Sequence, residues 1–387
     1  MRVACIGGGA SALMCACFVE PKNELVIIEK NEKVGKKILA TGNGRCNLTN
    51  LNMYKCSYNQ NVDRFLNRFN GKDVLSFFRQ IGLEVYADEQ GRVYPLSNSA
   101  ISVLDVLKNY ISLKPNVILK TETQVVKIEK NNNYFNVVYS NGTQEIFDSV
   151  IIGSGNLATE QLFSSFDIKF KPFLPSLCAL KTAKQKNLAG VRVSNVKVSC
   201  KLNNQNFEEI GEVLFRDDGI SGIVIFNLSA FMARQNEYAT EVILDYMPTI
   251  SEEDLFELLI TRQKKLKNYV IDEFLTGFFH KAINYEILKR ANLNLQNNVQ
   301  SLTIQQLKTI TNLIKNFKIT TIGAHTNNQV ACGGVLLSEL DFNLQAKNIQ
   351  NLYFMGEVID VDGMCGGYNL QWAWTSGYVV AQNLNNK

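Results

Sequence analysis

Val3-Ala4-Cys5-Ile6-Gly7-Gly8-Gly9-Ala10-Ser11-Ala12 opens the chain on four apolar residues that end in three glycines. Small and apolar residues continue from Ala10 to Val19, and a second apolar run, Leu25 to Ile28, ends at Glu29. That is strand, tight turn, helix and strand within about 30 residues, the layout of a βαβ unit. In Gly7-x-Gly9-x-x-Ala12 the glycines let the backbone turn and approach a pyrophosphate, whose charge then sits on free N–H groups at a helix N-terminus. Glu29 ends the second strand, where an acidic side chain accepts hydrogen bonds from ribose hydroxyls. The arrangement predicts a dinucleotide site on Gly7, Gly8, Gly9, Ala10, Ser11, Ala12 and Glu29, with Lys30 beside it. The competing reading is a glycine turn that only packs helix on sheet.

Further along, residues 36 to 47 read as a loop rich in donors, with Lys36, Lys37, Asn43, Arg45 and Asn47. Helical spacing returns over 62 to 82 and again near 99 to 112. From Val117 the period becomes two: Val117 to Leu119, Gln124 to Ile128, Phe135 to Tyr139 and Ile146 to Ile152, with Asn131-Asn132-Asn133 and Asn141-Gly142 as turns. This predicts an antiparallel meander ending in a buried strand, Val150 to Gly153. Short strands are expected over 179 to 248 (Val191 to Val198, Val213 to Phe215, Ile223 to Phe226, Glu241 to Asp245). A helical module without strands follows over 251 to 320, capped by Ser251-x-x-Asp254. The chain then turns glycine-rich and ends in a helix near 369 to 384.

A chain of 387 residues exceeds the size at which single cores stop growing, roughly 250 to 300 residues. The expected division is an interrupted domain, 1–178 with 322–387, a β-barrel-like insertion, 179–249, and a helical insertion, 250–321. Hydrophobic residues make up 46% of the chain, enough for large cores, and a net charge of +4 is too small to argue for nucleic acid. Nine cysteines with no C-x-x-C suggest reduced thiols rather than a disulfide framework or a zinc site. The glycine cluster begins too early for a signal peptide, and no apolar run reaches the ~18 residues of a membrane span. A soluble, cytoplasmic protein is expected.

The choice between FAD and NAD rests on the far end of the chain. In flavoproteins of the glutathione-reductase-like kind, a distant β meander and a returning strand precede a C-terminal Gly-Asp or Gly-Glu segment that closes on the ribityl chain. Here Gly356-Glu357 follows the apolar run Tyr353 to Met355. Gly366-Gly367 before a helix near Tyr368-Asn369 would aim that helix's positive end at a bound ring.

Several longer strings carry a family likeness. Gly35-Lys36-Lys37-Ile38-Leu39-Ala40-Thr41-Gly42-Asn43-Gly44-Arg45-Cys46-Asn47-Leu48-Thr49-Asn50, Gly91-Arg92-Val93-Tyr94-Pro95, Gly219-Ile220-Ser221-Gly222, Gly356 to Gly363 and Gly366-Gly367-Tyr368-Asn369-Leu370-Gln371-Trp372-Ala373 resemble the BaiN/YhiN family of flavoproteins over nearly the whole chain. The resemblance implies an α/β fold: a Rossmann-like FAD domain interrupted by a β-barrel-like domain and a small helical one. It also implies FAD as cofactor. The expected contacts then extend to Lys37, Thr41, Gly42, Asn43, Gly44, Arg45, Cys46, Asn47, Val125, Gly153, Ser154, Gly155, Gly356, Glu357, Asp362, Gly366, Gly367, Tyr368, Asn369 and Leu370. One departure is a short loop after the returning strand, Gly153-Ser154-Gly155-Asn156-Leu157-Ala158, where the family carries a longer one. The same string spells G-x-G-x-x-A, which leaves a second, NAD(P)-binding fold open.

The leading function is an FAD-dependent oxidoreductase acting on a small molecule, with NAD(P)H as transient co-substrate or the organic substrate itself as hydride donor. A flavin-dependent tRNA-modifying enzyme and a non-catalytic FAD-binding protein are the rivals, and no nucleic acid, membrane or metal partner is expected. His280 reads as structural, and His325, in a glycine-rich segment, as a candidate near the ring. Cys46 could be a redox thiol but lacks a resolving partner at C-x-x-C spacing. Asp360, Asp362 and Glu357 read as ribityl and loop hydrogen bonding. Substrate, catalytic acid or base, and oligomeric state are not legible.

Overall fold

The computed structural model describes residues 1–53, 57–155, 160–163, 165–184, 186–326 and 330–387. Cys56 and the Asn156-Leu157-Ala158 part of the short loop lie outside them. The chain forms two units, Met1–Leu174 with Gln329–Lys387, and Pro175–Asn328.

The first unit is built on a five-stranded parallel sheet in the order Leu352–Phe354, Ser149–Ile152, Arg2–Ile6, Glu24–Ile28, Val117–Lys120. Its three central strands are apolar and buried almost throughout, as a sheet covered on both faces requires. The first helix, Ala10–Phe18, is buried from Ser11 to Cys17. It runs against the C-terminal helix, Tyr368–Asn385. A methyl group on Gly377 would come within 2.3 Å of the Ser11 carbonyl, so the two helices meet backbone to backbone. Trp372, Trp374, Phe65 and Phe78 fill the core beside them, in edge-to-face pairs.

Smaller sheets add to this unit's framework: the antiparallel Thr49–Asn50, Arg92–Pro95 and Val85–Ala87, the antiparallel Val125–Asn131, Tyr134–Tyr139 and Gln144–Phe147, and the two-stranded Phe170–Ser176 with Val330–Val335. The meander differs from the sequence expectation at both ends. Val117–Lys120 pairs in parallel with Glu24–Ile28 as the outer strand of the main sheet. The run Ile146 to Ile152 is two strands, the second of which enters the main sheet beside Arg2–Ile6. Alternation alone does not say which neighbour a strand takes.

The second unit is a closed six-stranded barrel in the order Leu180–Thr182, Gly219–Ser221, Gln205–Arg216, Arg192–Leu202, Glu241–Asp245, Phe317–Ala324. Ile223 to Phe226, read above as a strand, begins a helix, Ile223–Arg234. Gly222 at φ 115° ends the preceding strand, and an apolar run of four does not separate buried helix from buried strand. Phe317–Ala324, at the end of the stretch read as purely helical, pairs with Glu241–Asp245 and Leu180–Thr182 and closes the barrel. Helices Glu252–Lys265, Lys281–Arg290 and Ile304–Lys315 contribute Leu259, Ile287 and Ile310 to the same core as barrel residues Val198, Val213 and Phe317. Ser251 caps the first of these helices, accepting from Asp254 N–H at 3.0 Å, and His280 caps the second through Nδ1. Among the described residues no helix is long and apolar enough to cross a membrane.

Candidate functional site

Three strands of the main sheet end in register, with Ile6 opposite Ile152 and Ile152 opposite Phe354. The residues that follow, Gly7, Gly153 and Met355, therefore share one carboxyl edge. From the first strand the chain adds Glu24–Ile28 on one side and later returns to add Ser149–Ile152 on the other, the reversal at which open α/β sheets bind ligands.

The packing there is close. Gly7 adopts φ 99°, and a methyl group on it would lie 2.6 Å from the Ser154 Cα. One on Gly8 would strike Val34, and one on Gly356 would lie 2.8 Å from Ser11 Oγ. Gly9 differs: its added methyl would meet only the Gly153 carbonyl, at 3.9 Å. Gly9 is also the N-cap of the first helix, and no side chain caps that helix. Its first turn is thus left without a side-chain acceptor, and the space beside the Gly9 Cα is open.

Glu29 reaches back to this turn. Its Oε2 accepts from Gly8 N–H at 2.8 Å, and Oε1 accepts from the backbone and side chain of Asn31. The carboxylate holds the glycine turn in shape and still has lone pairs to offer. Glu357 is held comparably: Oε1 accepts from Ala331 N–H at 2.8 Å, and Lys37 Nζ donates to Oε2 at 2.5 Å. Gly155 packs on the same carboxylate. Lys37, Gly155 and Glu357, more than 300 residues apart at their extremes, thereby meet.

A second group forms around the start of the C-terminal helix. Gly366 and Gly367 have φ 138° and 102°, and Gly367 is the N-cap with no side-chain cap. A methyl group on Gly367 would fall 2.6 Å from the Thr49 carbonyl and 2.8 Å from Asn47 Oδ1. Asn50 Nδ2 donates to the Gly366 carbonyl, and Asn369 exchanges two hydrogen bonds with the Gly363 backbone, both at 2.9 Å. Trp372 Nε1 donates to the Gly356 carbonyl and Ser376 Oγ accepts from Gly356 N–H, which ties this group to the sheet edge.

The loop from Thr41 to Asn47 wraps tightly. Gly42, Asn43, Gly44 and Cys46 all have positive φ, and Cys46 N–H donates to the Thr41 carbonyl. Cys46 is fully buried, and burial pushes its thiol up to about 12. It is a core residue rather than a nucleophile. The Arg45 guanidinium lies over the Tyr94 ring at 4.7 Å. Lys30, Asn43 and Gly44 stand exposed; Val125 is buried at the start of the meander; Leu370 lies in the C-terminal helix.

Asp360 is nearly fully buried, paired with Lys171 at 2.8 Å and accepting from Asn59 and Gln60. It fastens the segment 57–60 to the segment 360–363, as do the Asn59 bonds to Asp362. Tyr58 OH donates to the Tyr368 carbonyl at 2.8 Å. None of Tyr58, Asn59, Gln60, Thr49, Ser376 and Lys171 stood out in the sequence as part of a site, because each acts on a residue far along the chain and no local pattern marks it. His325 lies in the second unit, with Nε2 3.5 Å from Asp218.

Comparison with known proteins agrees with this architecture. The profile of the HI0933-like protein Rossmann domain family matches residues 1–383. A 3-dehydro-bile acid delta(4,6)-reductase of Clostridium scindens is 32% identical over 98% of both chains. Ribosomal RNA dihydrouridine synthases of Escherichia coli and Haemophilus influenzae are 26% and 25% identical, over 98% and 99% of this chain and 96% and 98% of theirs. Among solved structures, a quinol-fumarate reductase with menaquinol is 12% identical with a TM-score of 0.50, covering 100% of this chain and 70% of that one. That likeness concerns the fold alone.

Proposed function

This chain belongs to the HI0933-like protein Rossmann domain family, a family of FAD-dependent oxidoreductases, and from that premise we propose that it reduces a carbon–carbon double bond conjugated to a carbonyl. The electrons come from NADH or NADPH, and FAD is held without a covalent bond. The names of the relatives support the choice of reaction. One describes reduction at the 4 and 6 double bonds of a 3-dehydro bile acid, the other formation of dihydrouridine. Each adds a hydride and a proton across a double bond activated by a carbonyl. A steroid-like small molecule is favoured over RNA by the higher identity of the bile acid reductase, 32% against 26%. A net charge of only +4 favours it too.

The observation that carries this reading is the clear space beside Gly9 at the shared carboxyl edge. A pyrophosphate needs close backbone approach and free N–H groups, and the uncapped helix start from Ala10 supplies both. Glu29 accepts ribose hydroxyls with the lone pairs left over from Gly8 and Asn31. Glu357, steadied by Ala331 and Lys37, serves the ribityl side. The start of the C-terminal helix turns its positive end toward the ring and favours the charge that reduction brings. Bound there, FAD supplies reversible hydride chemistry.

The test is an anaerobic spectrum. The purified protein is expected to be yellow, to release FAD rather than FMN on denaturation, to bleach with NADH or NADPH, and to recover its oxidised spectrum on addition of a 4-en-3-one steroid. Recovery only with a uridine-containing ribosomal RNA fragment would move the substrate to RNA. Failure to bind FAD even after incubation with excess cofactor would remove the reading altogether.

A further inference from the structure

One hydroxyl on the small sheet beside the Thr41–Asn47 loop is held in place without an acceptor. Arg92–Pro95 is the middle strand of that sheet, with Val93 opposite Thr49 and Tyr94 opposite Tyr86. Val93 is buried in the core, so the alternation of the strand turns Tyr94 to the other face. There the Arg45 guanidinium lies over the Tyr94 ring at 4.7 Å, and the Tyr86 ring packs at 5.9 Å between centroids. A methyl group on Gly42 would meet Cε1 of the Tyr94 ring at 3.5 Å. These neighbours leave Tyr94 only 5% exposed.

The hydroxyl is not spent on the protein. Tyr86 OH donates to Asn98 Oδ1 at 2.6 Å, whereas Tyr94 OH makes no hydrogen bond to any described residue. Two polar side chains next to it are engaged: Arg92 Nε donates to Asp88 at 2.7 Å, and Asn50 Nδ2 donates to the Gly366 carbonyl at 3.0 Å. Burial raises the Tyr94 phenol above its usual value, against the nearby charges of Arg92 and Arg45. It therefore keeps its proton at neutral pH and serves as a neutral donor.

The strand pairing sets this donor next to the second glycine group. Thr49, opposite Val93, has its carbonyl 2.6 Å from where a methyl group on Gly367 would sit, and Asn50, opposite Arg92, is the residue bonded to Gly366. Reduction of an enone sends a hydride from the reduced cofactor to the β-carbon, moves the π-electron pair onto the carbonyl oxygen, and ends with a solvent proton on the α-carbon. The oxygen carries the charge in between, and an O–H donor fixed beforehand stabilises it without rearrangement. We infer that Tyr94 Oη–H donates to the carbonyl oxygen of the substrate and keeps its own proton throughout, so that this side chain selects for a conjugated carbonyl. The inference rests on the enone reading above.

The test uses the FAD-loaded full-length protein and Tyr94→Phe, which removes one oxygen and leaves the packed ring. Each is titrated with a 4-en-3-one steroid and with the same steroid lacking the 3-oxo group, binding being followed by flavin absorbance. Wild-type protein is expected to prefer the ketone at least ~10-fold, the worth of about one hydrogen bond. Tyr94→Phe is expected to bind the two within about threefold of each other. Reoxidation of the prereduced protein by the ketone is expected to slow at least ~10-fold in Tyr94→Phe. A wild-type protein without the preference overturns the assignment, as does an equal preference in both proteins or an unchanged rate of reoxidation. Loss of FAD from Tyr94→Phe gives the hydroxyl to cofactor binding and overturns it too. A wild-type protein that holds FAD but neither binds the ketone nor is reoxidised by it strikes the enone reading instead.

Discussion

At the level of single residues, the glycines of the two clusters serve different ends, and mutation separates them. Gly9 has room for a side chain and ordinary backbone angles. Gly9→Val should therefore fold with unchanged melting behaviour while binding FAD at least ~100-fold more weakly, about 2.7 kcal/mol, measured by flavin fluorescence. Full occupancy would show that the pyrophosphate lies elsewhere. Gly367 is the opposite case. At φ 102° and 2.6 Å from the Thr49 carbonyl, any side chain there strains the backbone and collides with the neighbouring strand. Gly367→Val should lose about 2 kcal/mol or more of stability, read by chemical denaturation without cofactor. Undiminished stability would mean the turn relaxes freely. Sequence reasoning alone takes both glycines as space left for a ligand, because a glycine's sequence context does not show what lies opposite its Cα.

Between elements, the second unit has an ion pair of Lys315 with Asp245 at 2.8 Å, with both side chains largely buried. Lys315 Nζ also donates to the Met247 and Ile250 carbonyls, so it joins the last helix of the module to a barrel strand and to the loop after it. Lys315→Ala leaves a buried carboxylate and two carbonyls short of a donor and should destabilise by about 3 kcal/mol or more. A loss below about 1 kcal/mol would class the pair with exposed ones. The helix periodicity and the Ser251 cap were legible in the sequence because they are local. The strand Phe317–Ala324 was not, because its partners, Glu241–Asp245 and Leu180–Thr182, lie 72 and more residues away.

For the whole molecule, the division of labour is testable by excision. Leu336 N–H donates to the Lys169 carbonyl and Gly333 packs on the Pro172 carbonyl, so Phe170–Ser176 and Val330–Val335 run antiparallel and bring residues 174 and 331 close. Joining them through a short Gly-Ser linker should leave a chain that binds FAD within about tenfold of the full protein. A folded but flavin-free product would show that Pro175–Asn328 is needed for the cofactor. Buried thiols give a second prediction. Burial pushes Cys15, Cys17 and Cys46 from 9.0 up to about 12, so above pH 9 the unfolded chain releases protons that the folded one keeps. Stability is then full below pH 9 and falls as pH rises toward 12. A flat denaturation midpoint from pH 9 to 11 would contradict this.

The sequence by itself determined what depends on near neighbours: the βαβ opening, with turn, helix and Glu29 in place, the helix periods and caps, and through long strings such as Gly42 to Asn47 the family. These are legible because backbone preference and side-chain period act over a few residues. Only the tertiary structure decided which strand pairs with which, that Glu29 spends part of its carboxylate on Gly8, that Lys37 meets Glu357, and that Asn47 ends beside Gly367 with its oxygen unanswered. Those facts depend on the packing of segments hundreds of residues apart, and no local pattern records which distant atom will stand opposite a given side chain.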